Sequence, residues 1–128
     1  MKTIHYSLLV GLISIAGNPM LVYAENKHAQ EAERHLEQAV ESGEKGDAKA
    51  AGSHTEEAKQ HVMEENKENP YTKPAKHITG ENPKAEHDNA TFDEMRKAEG
   101  HAKKGEASEA AGHAKNASEH LKEKEQSK

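Results

Sequence analysis

The sequence predicts an all-α protein: two helical hairpins, joined by a Pro-containing linker and packed as a four-helix bundle. Three observations predict it. Histidines recur seven residues apart, as His28/His35, His54/His61 and His113/His120, each pair with an alanine four residues after its first member (Ala32, Ala58, Ala117). Seven residues is two helical turns, so each pair lies on one face of a helix. Shifting the chain by 59 residues superposes its halves: His28 falls on His87, Ala39 on Ala98, Lys45-Gly46 on Lys104-Gly105, His54 on His113 and His61 on His120. Each half is divided by a glycine followed by an acid, Gly46-Asp47 and Gly105-Glu106. The glycine suits a left-handed C-terminal cap and the acid suits the start of the next helix.

Taken in chain order, residues 1–24 read as a signal peptide. Lys2 supplies the positive start and Ser7 to Gly17 the apolar run, with small residues at the cleavage positions of Val22-Tyr23-Ala24. The run is short for a membrane span, and no later segment is apolar enough to be one. With cysteine absent, there is no lipid-anchor site, disulfide or thiolate ligand. Cleavage after Ala24 would leave a soluble chain in the periplasm, with full secretion as the alternative.

Residues 25–65 form the first hairpin, with helices expected from Lys27 to Ser42 and from Ala48 to Glu65. Gly52 lies inside the second of these, where a glycine costs about 1 kcal/mol relative to alanine. Residues 66–83 hold Pro70, Pro74 and Pro83 and read as the linker. Residues 84–124 form the second hairpin, with helices expected from Ala90 to Lys103 and from Ala107 to Lys124. Thr91 and Glu94 have the spacing of a capping box, which would start the third helix late and leave His87 outside it. Residues 125–128 form a tail.

Large apolar residues are few: Leu36, Val40, Val62, Met63, Tyr71, Ile78, Phe92, Met95 and Leu121 after the leader. Alanine favours helix but buries little area, so helices held together weakly are expected. The net charge of −5 argues against nucleic acid and anionic membrane as partners and is compatible with cations.

Two histidines seven residues apart on one helix are separated by about 10.5 Å along its axis. They cannot share one ion, whose ligand atoms lie about 2 Å away. Partners must come from the facing helix or from one turn away. Residues at one level of an antiparallel hairpin are mirrored about its turn. His28 and His61, and His35 and His54, share a midpoint between Glu44 and Lys45. His87 and His120, and Glu94 and His113, share one between Lys103 and Lys104. Two layers per hairpin follow, and His101 is an additional histidine near the second turn. Glu31 and Glu57 each lie three residues after one histidine and four before the next, within reach of both. The second hairpin has Ala90 and Asn116 at those positions, so the first should bind metal more tightly. The candidate metal residues are therefore His28, Glu31, His35, His54, Glu57, His61, His87, Glu94, His101, His113 and His120. His77, in the linker, has no repeated partner. The remaining glutamates and lysines read as a solvated surface, with Glu119 and Glu123 a repulsive pair.

Imidazole with carboxylate suits Cu(II), and also Ni(II) and Zn(II). No phosphate loop, H-E-x-x-H or nucleophile elbow is present, so a non-enzymatic role is expected. The stretch Ala98 to Leu121 (AEGHAKKGEASEAAGHAKNASEHL), together with Ala39 to Val62, resembles the small metal-binding protein family of exported bacterial proteins. The resemblance implies a four-helix bundle that binds several divalent ions, copper above all, outside the cytoplasm. The function expected is metal buffering, sequestration or scavenging. The alternative is a small helical adaptor whose histidines respond to pH and which binds another protein through exposed Leu36, Val62, Met95 and Leu121.

Overall fold

A computed structural model describes residues 26–70 and 82–127. Residues 1–24, expected to be a signal peptide, most of the expected linker, Tyr71, His77 and Ile78 lie outside the described residues. Four helices follow in order: α1 (Lys27–Glu44), α2 (Ala48–Glu68), α3 (Pro83–Lys103) and α4 (Ala107–Gln126). No strand occurs among the described residues.

Both turns form as the Gly-acid pairs predict. Gly46 and Gly105 take φ of 82° and 79°, where a side chain would be strained. Each turn closes with the same two backbone bonds. Gly46 N–H donates to Gly43 and Asp47 N–H to Ser42; Gly105 N–H donates to Ala102 and Glu106 N–H to His101. This is the Schellman pattern. The acids then diverge. Asp47 caps α2 by accepting from the Ala50 N–H at 2.9 Å. Glu106, one methylene longer, makes no cap bond to α4.

The largest correction concerns α3. It begins at Pro83, not at Ala90, so His87 lies inside the helix. Asn82 is its N-cap, accepting from the Ala85 N–H at 3.2 Å, and Pro83 fills the first turn, where a missing N–H costs nothing. Thr91 caps nothing. Its hydroxyl donates back to the His87 carbonyl at 2.8 Å, a bond within a continuing helix. At the other ends, α1 runs to Glu44, α2 to Glu68 and α4 to Gln126, each two or three residues past its expected stop.

The helices form a ring in which α1 packs on α2 and α4, and α3 packs on α4 and α2; α2 and α4 also meet across the centre. Ring neighbours run antiparallel. Between the hairpins, Lys122 reaches Glu33 at 2.8 Å and Lys59 reaches Glu99 at 2.6 Å, joining α4 to α1 and α2 to α3. The core is narrow and alanine-rich: Ala32, Leu36, Ala39, Ala58, Val62, Met95, Ala98, Ala114, Ala117 and Leu121. Leu36, Val62 and Met95 are fully buried and Leu121 is 1% exposed, so the surface expected of an adaptor through these residues is not there. Val40 and Phe92 pack on the edge of the core.

Small side chains bring the backbones close. A Cβ built on Gly43 would lie 2.5 Å from the Ala107 carbonyl oxygen and 2.6 Å from Ala111 Cβ. One built on Gly52 would lie 2.8 Å from Ala102 Cβ. The repeat pairs Gly43 with Ala102 and Gly52 with Ala111, so each of these inter-hairpin contacts sets one glycine against one alanine. Gly52 is therefore a packing residue in α2.

Candidate metal centre

Every histidine in the described residues lies within one hairpin's own groove, α1/α2 or α3/α4. The four mirrored layers all form. The His28 and His61 rings are 5.5 Å apart, with Nδ1 atoms at 3.2 Å. The His35 and His54 rings lie 5.8 Å apart, and those of His87 and His120 6.1 Å apart. Glu94 accepts from His113 Nδ1 at 2.7 Å. In the first hairpin the layers merge, because His35 also stacks on His61 at 5.5 Å. The result is a run of four imidazoles, His28, His61, His35 and His54, along one groove.

Among the described residues, carboxylates complete three groups whose ligand atoms lie within 4.8 Å of one another: Glu31/His35/His61, His35/His54/Glu57 and His87/His120/Glu123. His35 belongs to two of them. Glu57 Oε2 sits 2.8 Å from His35 Nδ1 and 3.5 Å from His54 Nδ1. The approach to His35 is close but off the direction of a ring N–H. Nδ1 of His35 and Nδ1 of His54 are both buried and make no hydrogen bond. Two buried ring nitrogens without a bond, facing one carboxylate, fit an ion better than they fit each other. Buried polar atoms are otherwise nearly always paired.

Glu31 has a different neighbourhood. Arg34 donates to its Oε2 from Nε at 3.0 Å and from Nη2 at 2.5 Å. That hydrogen bond and charge hold the Glu31 carboxyl below the usual range. Burial lowers the His35 pKa, and the Arg34 guanidinium lowers it further. Both shifts favour the deprotonated forms that a metal requires.

By sequence, Glu123 belongs to the solvated surface. The structure places its Oε2 3.1 Å from His87 Nδ1 and 3.1 Å from His120 Nδ1. A signal for it exists: Glu123 follows His120 by three residues, as Glu31 follows His28 and Glu57 follows His54. The equivalent Glu64 follows His61, but it is taken by Lys67 at 2.6 Å. Glu68, in the part of α2 assigned to the linker, lies 3.5 Å from His28 Nε2.

The other end of the second hairpin is bonded up. His101 stacks on His113 at 5.1 Å, and its Nδ1 lies 2.6 Å from the Glu106 carboxylate. Burial pushes the Glu94 carboxyl up, but His113, Lys97 and Asn116 outweigh it, and the pKa falls to about 2. His101, His113 and Glu94 are thus brought together without forming a three-ligand group among the described residues.

A family model described as small metal-binding protein matches residues 1–124. No curated protein and no solved structure matches the chain.

Proposed function

The chain belongs to the small metal-binding protein family, and from that premise we propose that it buffers or sequesters a divalent metal, copper first, outside the cytoplasm. The observation that carries this is the His35/His54/Glu57 group, with two buried ring nitrogens that lack hydrogen bonds beside one carboxylate. Its two imidazoles and one carboxylate suit Cu(II), and also Ni(II) and Zn(II), better than Cu(I), which prefers sulfur. The chain has no cysteine, and only Met63 and Met95 follow the leader. Met95 is fully buried in the core.

The ligands of each group come from both helices of a hairpin. His35 on α1 faces His54 and Glu57 on α2; His87 on α3 faces His120 and Glu123 on α4. A bound ion would therefore crosslink the two helices. Because binding favours the folded form, it raises stability by mass action. The first hairpin, with two groups to the second's one, should hold metal more tightly. The leader supports export to the periplasm, where such a protein would lower the free concentration of copper.

Calorimetric titration of the purified protein with Cu(II) at neutral pH, with melts on the same samples, tests the reading. Sub-micromolar binding with a raised melting temperature is expected, and His35→Ala should remove the first hairpin's share of it. Weak binding with an unchanged melt would overturn it. For export, N-terminal sequencing of protein from the periplasmic fraction should begin at Glu25; absence of the chain from that fraction would refute the location, and a retained leader the cleavage.

A further inference from the structure

The three candidate groups are built alike but are not equally open. Among the described residues, Glu57 forms its ion pairs with His35 and His54, and Glu123 with His87 and His120. Glu31 instead meets Arg34. The same guanidinium places Nη2 3.1 Å from His35 Nε2, and its Nη1 lies 3.5 Å from Gln38 Oε1. A guanidinium only donates, so it takes up the lone pair of His35 Nε2 as well as the Glu31 carboxylate. Two of the three ligands in the Glu31/His35/His61 group are thus held by one tethered cation. We propose that Arg34 is a built-in occupant of this group, a tethered competitor that a metal ion must displace before it can bind there. The inference rests on the metal-binding reading above.

The repeat sharpens it. At the positions equivalent to Glu31, Arg34 and Gln38, the second hairpin has Ala90, Asp93 and Lys97. Neither the Glu31 carboxylate nor the Arg34 guanidinium has a counterpart at its own position, so this pair beside a histidine ligand belongs to the first hairpin. Arg34 also lies beside His35, the ligand shared by two groups, and its charge opposes a second ion next to one held by His54 and Glu57. Neutral imidazole has one lone pair, so His35 serves one group at a time: the Glu57 group through Nδ1, or the Glu31 group through Nε2 once copper displaces the arginine. The side chain of Arg34 is half-exposed, at 51%, which gives it room to swing into solvent.

The test uses the full bundle with the other two groups disabled by His54→Ala and His120→Ala. In that background, Arg34→Gln should tighten the remaining Cu(II) site by about tenfold, the scale of removing one unit charge from beside a divalent ion in a partly solvated place. Adding Glu31→Gln should cancel the gain, and Arg34→Lys should give a smaller one, because lysine keeps the charge without the fork. Circular dichroism confirms that each variant is folded, and the copper visible band reports ligation independently of heat. An unchanged affinity in Arg34→Gln, with the parent still binding copper, would overturn the role of Arg34 alone. No binding by the unsubstituted protein would overturn the metal reading itself, and this inference with it.

Discussion

His35 keeps only 12% of its side chain exposed and faces a carboxylate on one side and a guanidinium on the other. Its lowered pKa, caused first by burial and then by Arg34, has a consequence for the metal-free protein. The folded pKa lies below the unfolded value of about 6.5. As pH falls through that value, the unfolded chain takes up the proton first, so stability drops with acidification and the loss is complete below the folded pKa. Glu94 acts in the same direction at lower pH. Its carboxyl, near 2 in the fold, contributes stability above about 4.5 that is lost as pH falls toward 2. The metal-free melting temperature should therefore fall between pH 7.5 and 5.5, and His35→Gln, which keeps a polar group without the titration, should flatten that slope. Melts at matched ionic strength would check it; an equal slope in the variant would remove His35 as the cause.

Among the elements, the helices and turns were largely legible because their signals are local. The Gly-acid pairs, the seven-residue histidine spacing and the mirrored positions all act over one hairpin. The start of α3 was missed for an equally local reason. Asn82-Pro83 was grouped with the linker prolines, although asparagine before proline is also a helix start. Thr91 has the spacing of a cap, but its hydroxyl can equally bond back within a helix, and only the preceding turn decides which. Gly52 was misjudged as a weakness of α2 because its meaning lies on α3, at Ala102. Gly43→Ala should destabilise the protein by about 1–3 kcal/mol, as overpacking does, despite alanine's better helix propensity. Its Cβ would strike the Ala107 backbone oxygen, which cannot rotate away. Gly52→Ala meets only the Ala102 methyl, so Gly52→Ala combined with Ala102→Gly should recover most of its loss. Chemical denaturation of the three variants would check this; a stabilised Gly43→Ala would refute the close approach.

For the molecule as a whole, what joins one hairpin to the other was hidden in the sequence. The turns lie together at one end of the bundle. At the opposite end, Lys124 of α4 bonds Glu65 and Asn66 (2.5 Å) of α2 and pairs with Asp88 of α3 at 2.8 Å. Asn66 in turn donates to both oxygens of Asp88, at 3.0 and 2.9 Å. Lys124, Glu65 and Asp88 are each under 5% exposed, where a lone charge would be costly. Read singly, a lysine and two acids belong on a surface, and no periodicity marks which will meet across a bundle. Burial pushes the Lys124 pKa down, but the bonds to Asp88 and Glu65 outweigh it and raise it, so the ammonium stays charged. A buried pair is weak evidence for net stability, yet breaking one strands its partner. Lys124→Met should cost about 3–5 kcal/mol at neutral pH, because two carboxylates would remain buried without their cation. The loss should shrink on acidification, which removes the uncompensated buried negative charge. The metal groups lie within single hairpins, so an excess of Cu(II) should recover only part of the lost stability. Denaturation of Lys124→Met at pH 7 and pH 4.5, with and without copper, would check all three statements. A loss independent of pH would mean that the lysine acts through its packed alkyl stem, not its charge.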